Sequence, residues 1–343
     1  MTRATTLASI LDTGIAQRVF PGAVAAVADR DGAITVARGG FHYDEDSLRV
    51  TTATCYDLAS LTKIVTATAV LRLCAQGVLR MEAPVTAFLP QSAARDVTIW
   101  HLLTHTSGLD VRLSSVATAG ADALWQAVLT CAPTHVPGSR VAYANVNTLL
   151  LGRILEQLCY QPLATVLTQQ VLVPAGMTQT RFNPVSADHA LIPPTEHTAE
   201  RGVVQGVVHD ESTAALGGVA GHAGLFGNAA DLIAFGGAWL ATLNGAGPWG
   251  ITPALAQAAI QNHSPAGQLG CGLGWMVARD NFMAPAVIHD TAAHTGFTGP
   301  VIAIVPRLAQ TWVVLSNRTW PQRTVPPQHH GVTQQISAAL GAP

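Results

Sequence analysis

Ser60 and Lys63 stand three residues apart in the stretch Leu58-Ala59-Ser60-Leu61-Thr62-Lys63, and Lys63 is the single lysine among 18 basic residues. Every other basic position is arginine. Arginine stays protonated at any accessible pH, whereas an amine can be desolvated until it is neutral and able to take a proton. A lone lysine therefore points to a base. Residues three apart share a helical face, so the Ser60 hydroxyl and the Lys63 amine are predicted to be neighbours. On this stretch alone a helix-capping serine and a surface lysine is the competing reading.

A second pair of reactive side chains, His101 and His105, is spaced four apart on what reads as one helical face, a spacing that can hold a metal. The glutamate of H-E-x-x-H is missing and no third ligand is evident, so packing and hydrogen bonding are the expected roles, and no metal or cofactor is assigned. Five scattered cysteines (Cys55, Cys74, Cys131, Cys159, Cys271) lack C-x-x-C spacing and read mostly as small core residues. The segment 214–227 carries five glycines. It lacks the lysine of a phosphate loop, so close backbone packing or an active-site floor is the better reading.

The elements that must position these residues follow from composition and pattern. Hydrophobic residues make up 49% of the 343 and charged residues 11%, which describes a well-packed globule. A net charge of −2 without a basic run excludes a nucleic-acid footprint. No stretch has the length of a membrane span. The first thirty residues read as an amphipathic helix (Leu7, Ile10, Leu11, Ile15, Val19) and an apolar strand, without a secretory pattern, so cytoplasm is the expected compartment, or periplasm or secretion if a leader was removed.

Residues 22–29 and 33–39 flank Arg30-Asp31-Gly32, a hairpin signal. A helix apolar on nearly every side is predicted from Ser60 to about Gln76, hence buried, with Ser60 at its N-terminus. Helices are expected near 121–131, 146–159, 163–172 and 229–243, strands at 272–279, 299–306 and 311–316, and a last helix at 331–340. The fold class is α/β (α+β): an antiparallel sheet flanked by N- and C-terminal helices, built from 1–65 plus 228–343, with an inserted helical domain over 66–227 and the site at their interface.

Two further motifs follow in order: Tyr143-Ala144-Asn145 on a loop, and His294-Thr295-Gly296 just before a strand. The set S-x-x-K, Y-x-N and H-T-G resembles the serine β-lactamase and penicillin-binding-protein superfamily, in its class C-like branch. His101 to Leu109 and Gly272 to Trp275 also look like that branch. Pro194 to Glu196, Val208 to Glu211 and Ala215 to Phe226 resemble a subgroup of peptidoglycan amidases and carboxypeptidase-like proteins.

The resemblance implies Ser60 as nucleophile, with Lys63 or Tyr143 as the base and Tyr143 placed to deliver the proton to the leaving group. It implies an oxyanion hole from the N–H groups of Ser60 and Phe297. Asn145 would hold the Lys63 amine or the substrate amide, Thr295 would orient a carboxylate, and Gly296 would let substrate lie along the strand edge. His294 replaces the lysine usual in class C enzymes, removing a fixed charge at pH 7, for which Arg112 could compensate.

The leading expectation is an acyl-enzyme hydrolase of a small amide, peptide or ester, foremost a cell-wall-peptide amidase or peptidase, then a carboxylesterase, with a β-lactamase third. A catalytically idle sensor of β-lactams or muropeptides and a metal hydrolase are the alternatives. Oligomeric state is left open.

Overall fold

The computed structural model describes residues 2–323 and 329–341. Its central feature is a six-stranded sheet made from both ends of the chain: β1 (Gly22–Asp29), β2 (Gly32–Gly39), β3 (Met276–Val277), β4 (Ala292–Thr295), β5 (Val301–Val305) and β6 (Gln310–Ser316). The order is β2-β1-β6-β5-β4-β3 and every pairing is antiparallel. The hairpin forms where Asp-Gly predicted it, with Asp29 Oδ1 accepting the Asp31 N–H at 2.9 Å across the turn.

Alternation along the strands decides what each face buries. Ala23, Ala25 and Val27 of β1 pack with Val301, Ala303, Val305, Trp312 and Val314 against Leu7 and Leu11 of α1 (Arg3–Ala16) and against Val332 and Ile336 near the C-terminus. Val24 and Ala26, with Ile302, Ile304, Val313 and Leu315, face the opposite way into the larger core. There they meet α2 (Thr62–Ala75) and the helix Ala229–Leu243, whose Phe235 and Trp239 are fully buried.

The sheet-covering helix α2 is buried all round, as its sequence requires. Ile64, Val65, Val70 and Leu71 are each at most 2% exposed, and burial of such a side chain stabilises by about 1.5–3 kcal/mol. α3 (Ile99–Leu103) packs on α4 (Asn145–Cys159), which in turn packs on α2. α4 also lies against the 214–227 segment, and both chains are bare where they meet. A Cβ on Gly221 would lie 3.2 Å from the Gly152 Cα and would collide with the Thr148 carbonyl, so the glycine-rich segment supplies backbone packing.

Several boundaries differ from expectation. The segment 272–279 contributes only the two residues of β3, because Gly272 to Trp275 closes a turn through the Gly272 N–H to the Trp275 carbonyl at 2.8 Å. The helix at 163–172 is α-helical only over Leu163–Leu167 and widens over Thr168–Leu172. His294 and Thr295 stand before the expected strand, now β5, and also end a strand of their own, β4, with His294 in register with Ile302. Cys271 alone among the cysteines is buried; the other four are half-buried, and all five are free thiols. Among the described residues no helix is long and apolar enough to cross a membrane.

Candidate active site

The nucleophile candidate sits on a tight turn, Ala59–Leu61, that leads directly into α2. Lys63, one residue into α2, is fully buried, and its Nζ donates to Ser60 Oγ at 2.8 Å. Its other hydrogen bond goes to the His222 carbonyl at 3.3 Å, and Thr66, one turn on, donates to the Gly221 carbonyl at 2.9 Å. The 214–227 segment is therefore the floor beneath the serine and the lysine.

Tyr143 approaches from the opposite side. Its ring centre lies 4.9 Å from Lys63 Nζ, so the amine faces the π-cloud rather than the hydroxyl. The ring stacks on His105 at 4.6 Å and lies 6.1 Å from His294. His105 is buried in a left-handed backbone conformation (φ 55°), two residues beyond the end of α3. The expected shared helical face of His101 and His105 is therefore absent, because the helix stops at Leu103. His105 Nδ1 accepts from Asn147 Nδ2 at 3.0 Å and from the Ala144 N–H at 3.3 Å, which pins the Tyr143 loop. His101 Nδ1 instead accepts the Thr98 N–H at 3.2 Å and closes the cap of α3. Burial, reinforced by Lys63, depresses the His105 pKa to about 3, so its ring is neutral.

A cleft of about 530 Å³ opens above this group, lined by Ser60, Tyr143, Asn145, Thr295, Gly296 and Phe297 and, on its rim, by Arg112. Asn145 is not on the loop but is the first residue of α4. It does not reach the lysine: among the described residues the hydrogen bonds of Lys63 Nζ go to Ser60 and His222 alone. Gly296 must be bare, since a Cβ would stand 2.8 Å from the Leu58 carbonyl, and its N–H is taken by the Pro300 carbonyl at 2.7 Å. His294 lies behind the cleft surface, 1% exposed, with Nδ1 2.9 Å from the Thr295 carbonyl. Burial and the Lys63 charge hold its pKa well below the usual histidine range.

Sequence reasoning assigned no role to the wall facing Phe297. His209 stacks on the Phe297 ring at 5.6 Å, and its Nε2 is 3.0 Å from Glu196 Oε2. Arg323 Nε lies 2.8 and 2.9 Å from the two Glu196 oxygens, and Arg323 Nη2 lies 2.7 Å from Glu211. These bonds hold the Glu196 carboxylate far below its ordinary pKa even though burial works the other way. Glu196 and His209 to Glu211 did stand out in the sequence as stretches of likeness. Arg323, 127 residues from Glu196, carried no local signal. Among the described residues no cluster of His, Cys, Asp or Glu has the makings of a metal site.

A hydroxyl held by a buried amine, at a helix start and beside a strand edge, is the equipment for acyl transfer. The family model described as Beta-lactamase matches residues 7–333. The chain belongs to the Beta-lactamase family. It is a serine hydrolase. Its curated relatives include a protein of Escherichia coli (strain K12) named "Putative D-alanyl-D-alanine carboxypeptidase", 29% identical over 80% of this chain and 71% of that one. Among solved structures, EstCE1, "a hydrolase with promiscuous acyltransferase activity", aligns with a TM-score of 0.79 and 22% identity over 99% of this chain and 98% of that one. D-alanine carboxypeptidase AmpC from Burkholderia cenocepacia aligns with a TM-score of 0.77 and 21% identity over 98% and 99% of the two chains. At these identities the structural likeness speaks to the fold of this Beta-lactamase family member.

Proposed function

We propose that this hydrolase acts through an acyl-enzyme on Ser60, with a small cell-wall-type peptide or amide as its substrate class. The observation that carries the reading is the 2.8 Å bond between Ser60 Oγ and the fully buried Lys63 Nζ on the floor of the cleft. In the proposed reaction Ser60 Oγ attacks the carbonyl carbon and its proton passes to Lys63 as the bond forms. The carbonyl oxygen takes the negative charge between the N–H groups of Ser60 and Phe297. Lys63, with Tyr143 beside it, returns the proton to the departing amine, and water then releases the acyl group by the same steps in reverse order.

The substrate class draws on two supports. Relatives over most of the chain carry carboxypeptidase names. The cleft lining also includes Arg112, outside the ion pairs of Glu196 and Glu211 and suited to draw in a peptide carboxylate, while His294 is buried and neutral. The proposed two-part organisation, 1–65 plus 228–343 and 66–227, fits a cleft whose lining comes from both segments: Ser60 and Thr295 from one, Tyr143 and His209 from the other.

The test is covalent. A fluorophosphonate should add once, on Ser60, and muropeptides should be turned over faster than p-nitrophenyl esters or nitrocefin, with the acyl-enzyme mass trapped on quenching. A label on another serine would remove the assignment. Binding without acylation would make the protein a sensor, and preferential turnover of esters would make it a carboxylesterase.

A further inference from the structure

The nucleophile turn holds a conformation that its own residues do not favour. Ala59, immediately before Ser60, has φ 45°, in the left-handed region that a residue with a Cβ enters only against steric cost. Something must hold it there. Asp57, two residues back, is 2% exposed, and its carboxylate receives two backbone donors: Oδ1 accepts the Ala59 N–H at 2.8 Å, and Oδ2 accepts the His209 N–H at 2.7 Å. Its own carbonyl accepts from Thr298 Oγ1 at 2.9 Å. Three segments far apart in sequence, 57–60, 209–211 and 297–298, thus meet on one residue.

The chemistry of that residue is specific. A buried carboxylate without an arginine or lysine bonded to it is costly, and burial raises its pKa despite the two N–H bonds. An asparagine would have the same shape, but its NH2 group would confront one of the two N–H donors. Only an acceptor at both ends satisfies the arrangement. Thr298 adjoins Phe297, whose N–H is one half of the proposed oxyanion hole, and Ala59 adjoins Ser60, whose N–H is the other half.

We propose that Asp57 is the positioning residue of the site: its carboxylate holds the Ala59–Ser60 turn in its left-handed form against the His209 wall. Through its carbonyl and Thr298 it keeps the Ser60 and Phe297 N–H groups aimed at one oxyanion. The second half of this statement rests on the acyl-enzyme reading. The first half is independent of it.

The experiment uses the full chain and a fluorophosphonate probe. Asp57→Asn should lower the maximal rate of Ser60 labelling by about 100-fold, the order expected for a small misplacement of reacting groups, while the half-saturating probe concentration changes by less than about threefold. A general loss of structure would move both. Ala59→Gly supplies the second arm, because glycine adopts positive φ without strain. It should raise the urea midpoint on its own, and Asp57→Asn should lower the midpoint less in the Ala59→Gly background than in the parent. If Asp57→Asn alone fails to fold, the double variant should fold. Labelling of a folded Asp57→Asn within a few fold of the parent overturns the role in the oxyanion site. Strictly additive effects of the two substitutions on the midpoint overturn the clamp. A parent protein unlabelled at Ser60 refutes the acyl-enzyme reading instead, and leaves the midpoint comparison to decide the clamp.

Discussion

The floor of the cleft and its wall handle buried charge in opposite ways. On the floor, Lys63 is fully enclosed, and its neighbours are a hydroxyl, a carbonyl and the Tyr143 ring; among the described residues no carboxylate pairs with it. On the wall, Arg323 is gripped by both oxygens of Glu196 and by Glu211, and His209 closes the far side of Glu196. The difference separates chemistry from scaffolding. A carboxylate beside an amine favours its charged form and fixes the proton, which a proton acceptor cannot tolerate, whereas a structural cation gains from every partner it is given.

The largest test of that contrast is Lys63→Arg. Guanidinium holds its proton to above about pH 12, so acylation of Ser60 should fall by roughly 10²–10⁴-fold. The pocket is closed, so the longer side chain should also cost about 1–3 kcal/mol through overpacking, visible as a lower urea midpoint. Labelling kinetics and the midpoint, measured together, separate the two losses. A folded Lys63→Arg protein that labels within a few fold of the parent would falsify the base assignment and with it the contrast.

Glu196→Gln probes the wall. The amide cannot accept from Arg323 at both positions, and His209 loses its anionic partner. Breaking a fully buried pair typically costs about 3–5 kcal/mol; here about 2 is expected, because the Arg323 side chain is 37% exposed and water screens it. Acylation should change by less than about tenfold. If Glu196→Gln slows labelling as severely as Lys63→Arg, the wall takes part in the chemistry and the division fails.

The same contrast explains what could be read from sequence. Ser60, Lys63, Tyr143, Thr295 and Gly296 announce themselves through short spacings, because a local helix or strand end brings each group to the cleft. The hairpin, the buried α2 and the two-ended sheet follow from periodicity for the same reason. Glu196 and Arg323 meet across 127 residues, and Asp57 meets the His209 N–H across 152, so no local pattern encodes either pairing. His105 was misplaced on a helical face because the helix ends at Leu103 and the chain turns left-handed, a choice set by tertiary bonds to Asn147 and Ala144. His294 stands where class C enzymes usually have lysine, but its position on β4 turns the ring into the interior.

Buried neutral histidines carry a pH signature that the paired wall lacks. His105 titrates near 3 in the fold against about 6.5 unfolded, and His294 is depressed in the same direction. Between those values the unfolded chain binds more protons, so stability rises with pH and is lost as pH falls from about 6.5 toward 3. Each such group contributes a slope approaching about 1.4 kcal/mol per pH unit. Glu196 and Asp210, with lowered pKa values, add their loss only below about 4.5, and Asp57, raised by burial, opposes the trend above 3.8. Because Asp57 pulls the other way in the same window, the contribution of His105 between pH 4.5 and 6.5 is the difference in the slope of the urea midpoint between the parent and His105→Gln. A slope unchanged in His105→Gln would show that this ring is not held neutral.

The smallest effect is expected at the rim. Arg112 lines the cleft beside Asp110, stands at the head of a short helical turn, and lies outside the wall's ion pairs. A charge in that position attracts a substrate carboxylate through water, so it acts on encounter and affinity rather than on the bond-making step. Arg112→Ala should raise KM for carboxylate-bearing peptides by about two- to tenfold and leave kcat and the fluorophosphonate rate alone. Because the Debye length is about 8 Å at physiological ionic strength, the KM penalty should shrink as salt is raised in the parent and variant series. Uncharged esters should show no penalty at any salt. A fall in kcat, or an equal KM change for neutral and anionic substrates, would place Arg112 in the reacting machinery and extend the floor to the rim.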